Sequence, residues 1–579
     1  MKKIEIFSAL NTEKVLQDKH FSDAKKLKKI QIKAVKNSYE LGQIVLTPNF
    51  DVKNCEFTLS PLVSNEGTFF EELNIEKFYQ KYIEVKEVSY IETTKITRDI
   101  NGQLGWFPDI LLPYDAAVAH KENVISANQN QAIVLIFHIA KNQALGLYKG
   151  KIFVTVDEEN LEFPIEIEVC DVTLPEMQKV DSLLCMEYEF IERGEQDVSL
   201  AMKEAYVEAL LKYKQAPRLL PQAEDTVEDF CKAVRKYYHR IPGFSIPMDV
   251  AEYWGAPRVM DYEYLRKRVF GLAKISLEDG INYFEKVRNY MLVVDEPQQN
   301  KAENATSYAC RRYRETLKAC ADEVDRWDVA DGKVSKKEIA ATIREKTYNL
   351  VTSGYTEKIT GVDIWCPVYK SYTFPEKMEK YKASGKPYWG YSCNAQMYPL
   401  PNWHIDDMNS FLSARAKGWI MRDYGVSGNL YYETVLFEQL SYKNGLHLEP
   451  TDPYANPTKY PGANGDGYLF YPGIKYGIKG PVVCNRLSYI RDAVQDYDLL
   501  WLLENSYRER GANPQPLLRS IYDTVHSNTE VTLGSEAFFA LKSNVIDAVL
   551  YAKVGKFFND ISAIDKGTKN QGGEYGKYD

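Results

Sequence analysis

Asp295 and Glu296 stand side by side, directly after the apolar run Met291-Leu292-Val293-Val294 and directly before Pro297. Neighbouring carboxyls that are partly desolvated do not ionise independently: one stays charged while the other can hold a proton toward neutral pH. That division of labour suits glycosidic cleavage, in which one group protonates the leaving oxygen and the other steadies developing positive charge. The dipeptide alone leaves a structural reading open, with Asp295 capping the next helix and Glu296 paired with Arg311 or Arg312. Its position favours chemistry. Four apolar residues predict a strand buried on both faces, and the carboxyl end of such a strand is where barrel active sites are built. Pro297 lacks an N–H and ends the ladder there.

The elements that must position this pair follow from the rest of the pattern. The first 175 residues read as strands: Gln43–Leu46, Glu56–Leu59, the nearly all-apolar Ala132–Ile139, the alternating Gly150–Val156 and Leu161–Val169. Short strands separated by turn formers predict an N-terminal β-sandwich accessory domain over 1–175. From 176 to 505 strands alternate with helices, which predicts a (β/α)8 TIM-like barrel within a multidomain α/β chain. The eight strand candidates are Ser182–Met186, Pro217–Leu220, Gly243–Ile246, Met291–Val294, Val362–Cys366, Tyr388–Cys393, Asn429–Tyr432 and Tyr468–Tyr471. Ser335-Lys336-Lys337-Glu338 is a capping box that opens a helix over Ile339–Leu350. Further apolar periodicity predicts a C-terminal helical extension over 506–560, and 561–579 reads as a disordered tail.

The ends of the candidate strands carry aromatic and polar side chains. Trp365 lies at the end of the fifth candidate and Tyr369 follows it, Trp389 and Tyr391 lie in the sixth, Tyr431, Tyr432 and Glu433 close the seventh, and Tyr471 closes the eighth. Rings with hydroxyl and indole donors around a carboxylate-bearing mouth describe a pocket for an oligosaccharide or glycoconjugate. Each ring taken singly also suits packing. Glu433 stands where many retaining glycosidase barrels hold a nucleophile, so a double-displacement role stays open beside hydrogen bonding to a substrate hydroxyl.

Composition excludes several classes. A net charge of −9 without a basic stripe argues against a nucleic-acid partner. Nine scattered cysteines, an odd number without C-x-x-C spacing, predict reduced thiols rather than a disulfide frame or zinc site. No metal or cofactor is implied. No apolar run is long enough for a membrane span, and Met1-Lys2-Lys3-Ile4-Glu5 opens without a signal-peptide core. As written the chain reads as cytoplasmic; a chain whose leader had been removed, extracellular or periplasmic, would read the same.

Longer motifs supply a resemblance. Gly465-Asp466-Gly467-Tyr468-Leu469-Phe470-Tyr471-Pro472-Gly473, then Asn485-Arg486-Leu487 and Ile490-Arg491-Asp492-Ala493-Val494-Gln495-Asp496-Tyr497-Asp498-Leu499, resemble the catalytic-domain signature of glycoside hydrolase family 123. Asp295-Glu296-Pro297 matches that family's catalytic Asp-Glu position, and Gly105–Pro113 and Gly146–Gly150 are similar to its accompanying β-sandwich. The likeness spans roughly residues 30–505. It implies a retaining exo-β-N-acetylgalactosaminidase or hexosaminidase in which the 2-acetamido oxygen of the sugar attacks the anomeric carbon. Asp295 would orient that group and stabilise its charge; Glu296 would act as acid and then base. A conventional retaining enzyme using Glu433, and a non-catalytic carbohydrate-binding protein, are the competing readings.

Overall fold

The computed structural model describes residues 2–89, 102–251, 258–297, 300–330, 332–394, 396, 399–443 and 446–564. Two sheets dominate its N-terminal part. The larger has the strand order Ile4–Ala9, Ser38–Pro48, Gln131–Ile139, Ile75–Val85, Gly105–Pro113, Val482–Cys484 and Phe470–Tyr471. The smaller runs Ile30–Lys36, Glu159–Thr173, Gly146–Val156, Leu62–Ser64 and Phe69–Phe70, with Cys55–Leu59 also paired to Gly146–Val156.

Side-chain alternation explains how they meet. In Gly146–Val156 the residues Tyr148, Ile152, Val154 and Val156 are buried while Lys149, Lys151 and Phe153 face out, the period-2 pattern of a sheet covered on one side. Gln131–Ile139 is buried at almost every position. Ile133, Leu135 and Phe137 share a core with the smaller sheet, where Phe137 meets Phe70 edge to face at 6.3 Å. Val134 and Ile136 face the other way, with Leu41, Phe78 and Leu111. The continuous apolar run follows from burial on both faces.

The C-terminal half is built around a closed hydrogen-bonded ring of parallel segments. Asp181–Leu184 pairs with Gly428–Tyr431, which pairs with Trp389–Tyr391. Arg218 N donates to Leu184 O at 2.8 Å, and Ser245 N donates to Arg218 O at 2.8 Å. Phe244 bridges Val287, leading into Arg288–Tyr290, Tyr348–Val351 and Ile364–Trp365. Val368 bridges Tyr391 and closes the circle.

Several boundaries differ from those expected. Met291–Val294 is no strand: the ladder ends at Tyr290 and Leu292–Val294 makes a 3-10 turn. Tyr348–Val351 was hidden inside the expected helix, which stops at Glu345. The strand carrying Trp365 is therefore sixth in the ring, and the one leading to Glu433 is eighth. Tyr468–Tyr471 leaves the ring altogether, because Phe470–Tyr471 pairs with Val482–Cys484, which pairs with Gly105–Pro113 of the N-terminal sheet. The sheet thus crosses the expected boundary at 175.

Beyond the ring, Gln515–Val525 and Ser535–Lys553 pack with Leu412, Trp419, Leu499 and Leu503 in a second core. Ile561 and Ile564 join that core, so 561–564 are ordered where a tail was expected; 565–579 lie outside the described residues. All nine cysteines are free thiols. Among the described residues no helix is long and apolar enough to cross a membrane.

A buried ion pair locks the two halves together. Arg486 donates to both carboxylate oxygens of Asp109, Nε at 2.7 Å and Nη2 at 2.9 Å, and both side chains are fully buried. Its Nη1 donates to the carbonyls of Gly465 and Tyr468, and the Tyr471 hydroxyl donates to Asp109. Removing one partner strands the other charge away from water. Asp109→Ala is therefore expected to destabilise the protein by about 3–5 kcal/mol in denaturant unfolding, with Asp109→Asn losing less; a change within about 0.5 kcal/mol would contradict this role.

Candidate active site

The turn after Arg288–Tyr290 delivers Asp295 and Glu296 to the carboxyl-terminal mouth of the ring, where both residues are exposed. Asp295 Oδ1 accepts from the Tyr290 hydroxyl at 2.9 Å and from Thr352 Oγ1 at 2.9 Å. Thr352, directly after its ring strand, also accepts from the backbone N–H of Glu296 at 3.2 Å. One hydroxyl therefore spans both acids. Glu296 has φ +42°, left-handed backbone that a non-glycine residue adopts at a cost. Holding it there aims the side chain at the last residue of the strand Trp389–Tyr391, whose hydroxyl donates to Glu296 Oε1.

The Glu296 carboxyl is raised above its ordinary value. Desolvation by the surrounding walls is the chief cause; the Tyr391 hydrogen bond opposes it, and the negative charge of Asp295 adds to it. A group of this kind holds a proton further toward neutrality and suits a general acid.

A second polar cluster occupies the mouth above the first strands of the ring. Glu187 accepts from Arg218 Nη2 and Arg258 Nη2, each at 3.2 Å, and Asp249 pairs with Arg258 Nη1 at 3.0 Å. Arg218 lies within electrostatic reach of Tyr290, so this cluster continues from the Asp295 side. No local pattern announces it, because its members sit on four separate loops or strand ends.

The expected sugar-contact residues divide. Tyr391 touches Glu296, as above. Tyr432 follows the last ring strand and donates to Asp466 Oδ2 at 3.0 Å, while Tyr431 donates to Oδ1 at 3.0 Å. Trp365 is mostly buried and packs on Tyr355 with centroids 5.5 Å apart. Tyr369 and Trp389 are fully buried in packing; a Cβ on Gly428 would lie 2.1 Å from the Trp389 indole. Tyr471 serves Asp109 at the domain junction and does not reach the mouth. Alternation along short strands cannot distinguish a ring aimed at a pocket from one aimed into the core.

Glu433 is fully buried. Its Oε1 accepts from the backbone N–H groups of Thr434 at 2.7 Å and Val435 at 2.9 Å. Burial first, then the charge of Glu187, push its carboxyl well above the usual range. A buried carboxyl occupied by its own backbone is poorly placed to attack a sugar. A cleft of about 1030 Å³ lies elsewhere, with Tyr39, Phe78, Tyr213 and Arg240 among the residues that line it.

Residues 281–503 match the family model of the glycoside hydrolase 123 catalytic domain, which includes Asp295 and Glu296. No curated protein matches the sequence. Among solved structures, a family 123 glycoside hydrolase from Clostridium perfringens, studied for glycolipid glycan hydrolysis, aligns with TM-score 0.61 and 14% identity over 98% of this chain and 99% of that one. A β-glucuronidase from Parabacteroides merdae aligns at TM-score 0.22 and 11% identity, over 86% of this chain and 52% of that one. An endo-β-1,4-mannanase from Thermotoga petrophila aligns at TM-score 0.25 and 10% identity, over 56% of this chain and 77% of that one. The carboxyl pair at the ring's mouth lies inside the matched segment, so the part of the chain that carries it is similar to the catalytic domain of glycoside hydrolase family 123.

Proposed function

We propose that this glycoside hydrolase is a retaining, exo-acting β-N-acetylhexosaminidase that uses the substrate's own 2-acetamido group as nucleophile, with terminal N-acetylgalactosamine as the preferred sugar. The catalytic architecture is read as a (β/α)8 barrel buttressed by an N-terminal β-sandwich. The observation that carries the mechanism is the unequal setting of three carboxyls. Asp295 is fixed by two hydroxyls, Glu296 is raised and open to the mouth, and Glu433 is buried and spent on backbone N–H groups.

In the first step the acetamido carbonyl oxygen attacks the anomeric carbon. The bond to the leaving oxygen breaks, and that oxygen takes the proton of Glu296. With Oδ1 of Asp295 held by Tyr290 and Thr352, Oδ2 is the oxygen left to accept from the acetamido N–H and to face the growing oxazolinium charge. The nucleophile is already tethered to the reacting carbon, which removes most of the entropic cost of attack. In the second step water adds to the same carbon, giving a proton to Glu296 as the bond to the acetamido oxygen opens. Two inversions at one carbon leave the anomeric configuration retained.

Asp295→Asn and Glu296→Gln are each expected to lower kcat by about 10²–10⁴-fold on aryl 2-acetamido glycosides. Glu296→Gln should recover most on the aryl leaving groups that need least protonation. Full activity on matched glycosides lacking the acetamido group would overturn the reading.

The pH profile gives a second test. The first step needs protonated Glu296, so the basic limb of kcat/KM follows the pKa of that carboxyl. Tyr391→Phe removes a hydrogen bond that favours the carboxylate, and should move this limb to higher pH. Asp295→Asn removes a charge that disfavours the carboxylate, and should move the limb of its residual activity to lower pH. Shifts in the opposite senses would contradict the assignment of Glu296 as acid.

Glu433→Gln preserves the shape of a buried side chain whose Oε1 is held by backbone N–H groups. It is expected to retain kcat within about tenfold, whereas loss of a true nucleophile would cost several orders of magnitude.

A further inference from the structure

The mouth is chemically lopsided. On the Asp295 side, Tyr290 leads to the guanidinium and carboxylate groups of Arg218, Glu187, Asp249 and Arg258. On the Glu296 side the path is aromatic. Tyr391 bonds Glu296, and Cys393, two residues on, is within electrostatic reach of Tyr391, Tyr432 and Tyr460 alike. Tyr432 and Tyr460 meet edge to face with centroids 6.3 Å apart, and Tyr460 and Tyr442 do the same at 6.5 Å.

The chain builds this path from two hairpins inserted after the last ring strand, Gln439–Ser441 with His447–Glu449 and Thr458–Tyr460 with Ala463–Asn464. Anchoring runs from the mouth outward. Tyr432 is tied to buried Asp466, Tyr460 shares a hydroxyl contact of 3.1 Å with Tyr442, and Tyr442 is 57% exposed. Tyr442 is thus held through its hydroxyl while more than half of the residue stays open to solvent. Rings meeting near right angles cannot all lie against one flat partner; together they offer a face for stacking and hydroxyls for a polar rim.

We propose that Tyr432, Tyr460 and Tyr442 form the platform for the leaving-group saccharide, so that the enzyme engages at least one sugar beyond the bond it cleaves. This rests on the assignment of Glu296 as acid. The acid must lie beside the leaving oxygen, so the aglycone departs on the Glu296 side, and the aromatic path begins at the residue that holds Glu296. The terminal sugar then sits toward the Arg218 cluster. The preferred substrates are oligosaccharides or glycoconjugates whose aglycone is itself a sugar, rather than simple alkyl glycosides.

The test compares wild type and Tyr442→Ala on two substrates with the same terminal 2-acetamido sugar, the glycosyl fluoride and a β-linked disaccharide. Fluoride departs without needing a platform, so it reports the chemistry alone. Loss of one stacking face is expected to lower the ratio of disaccharide to fluoride kcat/KM about tenfold, mainly through KM, with Tyr442→Phe near wild type. An unchanged ratio, in a variant shown by circular dichroism to be folded, overturns the platform. A wild type that cleaves the fluoride but shows no gain from the disaccharide also overturns it, while the assignment of the acid stands. A wild type that cleaves neither overturns that assignment and the platform with it.

Discussion

A guanidinium with no surface in water must find every partner inside the protein, and Arg486 does so by joining three parts of the chain. It grips Asp109 on the N-terminal sheet, and its remaining donors take the carbonyls of Gly465 and Tyr468. Those two carbonyls flank Asp466, whose carboxyl receives the hydroxyls of Tyr431 and Tyr432 at the mouth of the ring. The ion pair at the domain junction is thus mechanically continuous with the wall of the site. The long signature from Gly465 to Tyr471 is explained less by contact with a sugar than by this chain of satisfied polar groups.

The same economy governs the acids. Asp295, Glu296 and Glu433 are among the carboxyls near the mouth, and the protein separates these three by what each may hydrogen-bond. Asp295 receives two hydroxyl donors, Glu296 one hydroxyl against desolvation, and Glu433 two backbone N–H groups in full burial. Thr352 couples the first two, accepting from the backbone of one while donating to the side chain of the other. Positive φ at Glu296 is the backbone cost of pointing adjacent side chains to different tasks.

Much of this was legible in the sequence because it depends on local pattern. The strands of the N-terminal sheets, the alternation of strand and helix, and the placing of Asp295-Glu296 after a ring strand all follow from periodicity and neighbours. The failures share a physical cause. Met291–Val294 looked like the strand because it is apolar, whereas the ladder runs through Asn289, a buried amide that accepts from Ile246 N and donates to Tyr313. Tyr348–Val351 followed a helix too closely to be separated by pattern. Tyr471 was assigned to the ring because nothing local reveals that the strand it pairs with, Val482–Cys484, itself joins the N-terminal sheet more than 300 positions away. Thr352, Arg218 and Asp466 were missed for the same reason: their roles exist only once distant segments meet.

The account turns on whether the sugar's own carbonyl oxygen is the nucleophile that Asp295 steadies. Replacing the 2-acetamido group of one aryl glycoside by its mono-, di- and trifluoroacetamido counterparts weakens that oxygen stepwise while leaving the aglycone unchanged. Measured on the wild-type enzyme, log kcat should fall steeply and in proportion to the electron withdrawal. A kcat indifferent to fluorination would show that the oxygen takes no part in the attack, and would contradict the roles assigned to both acids.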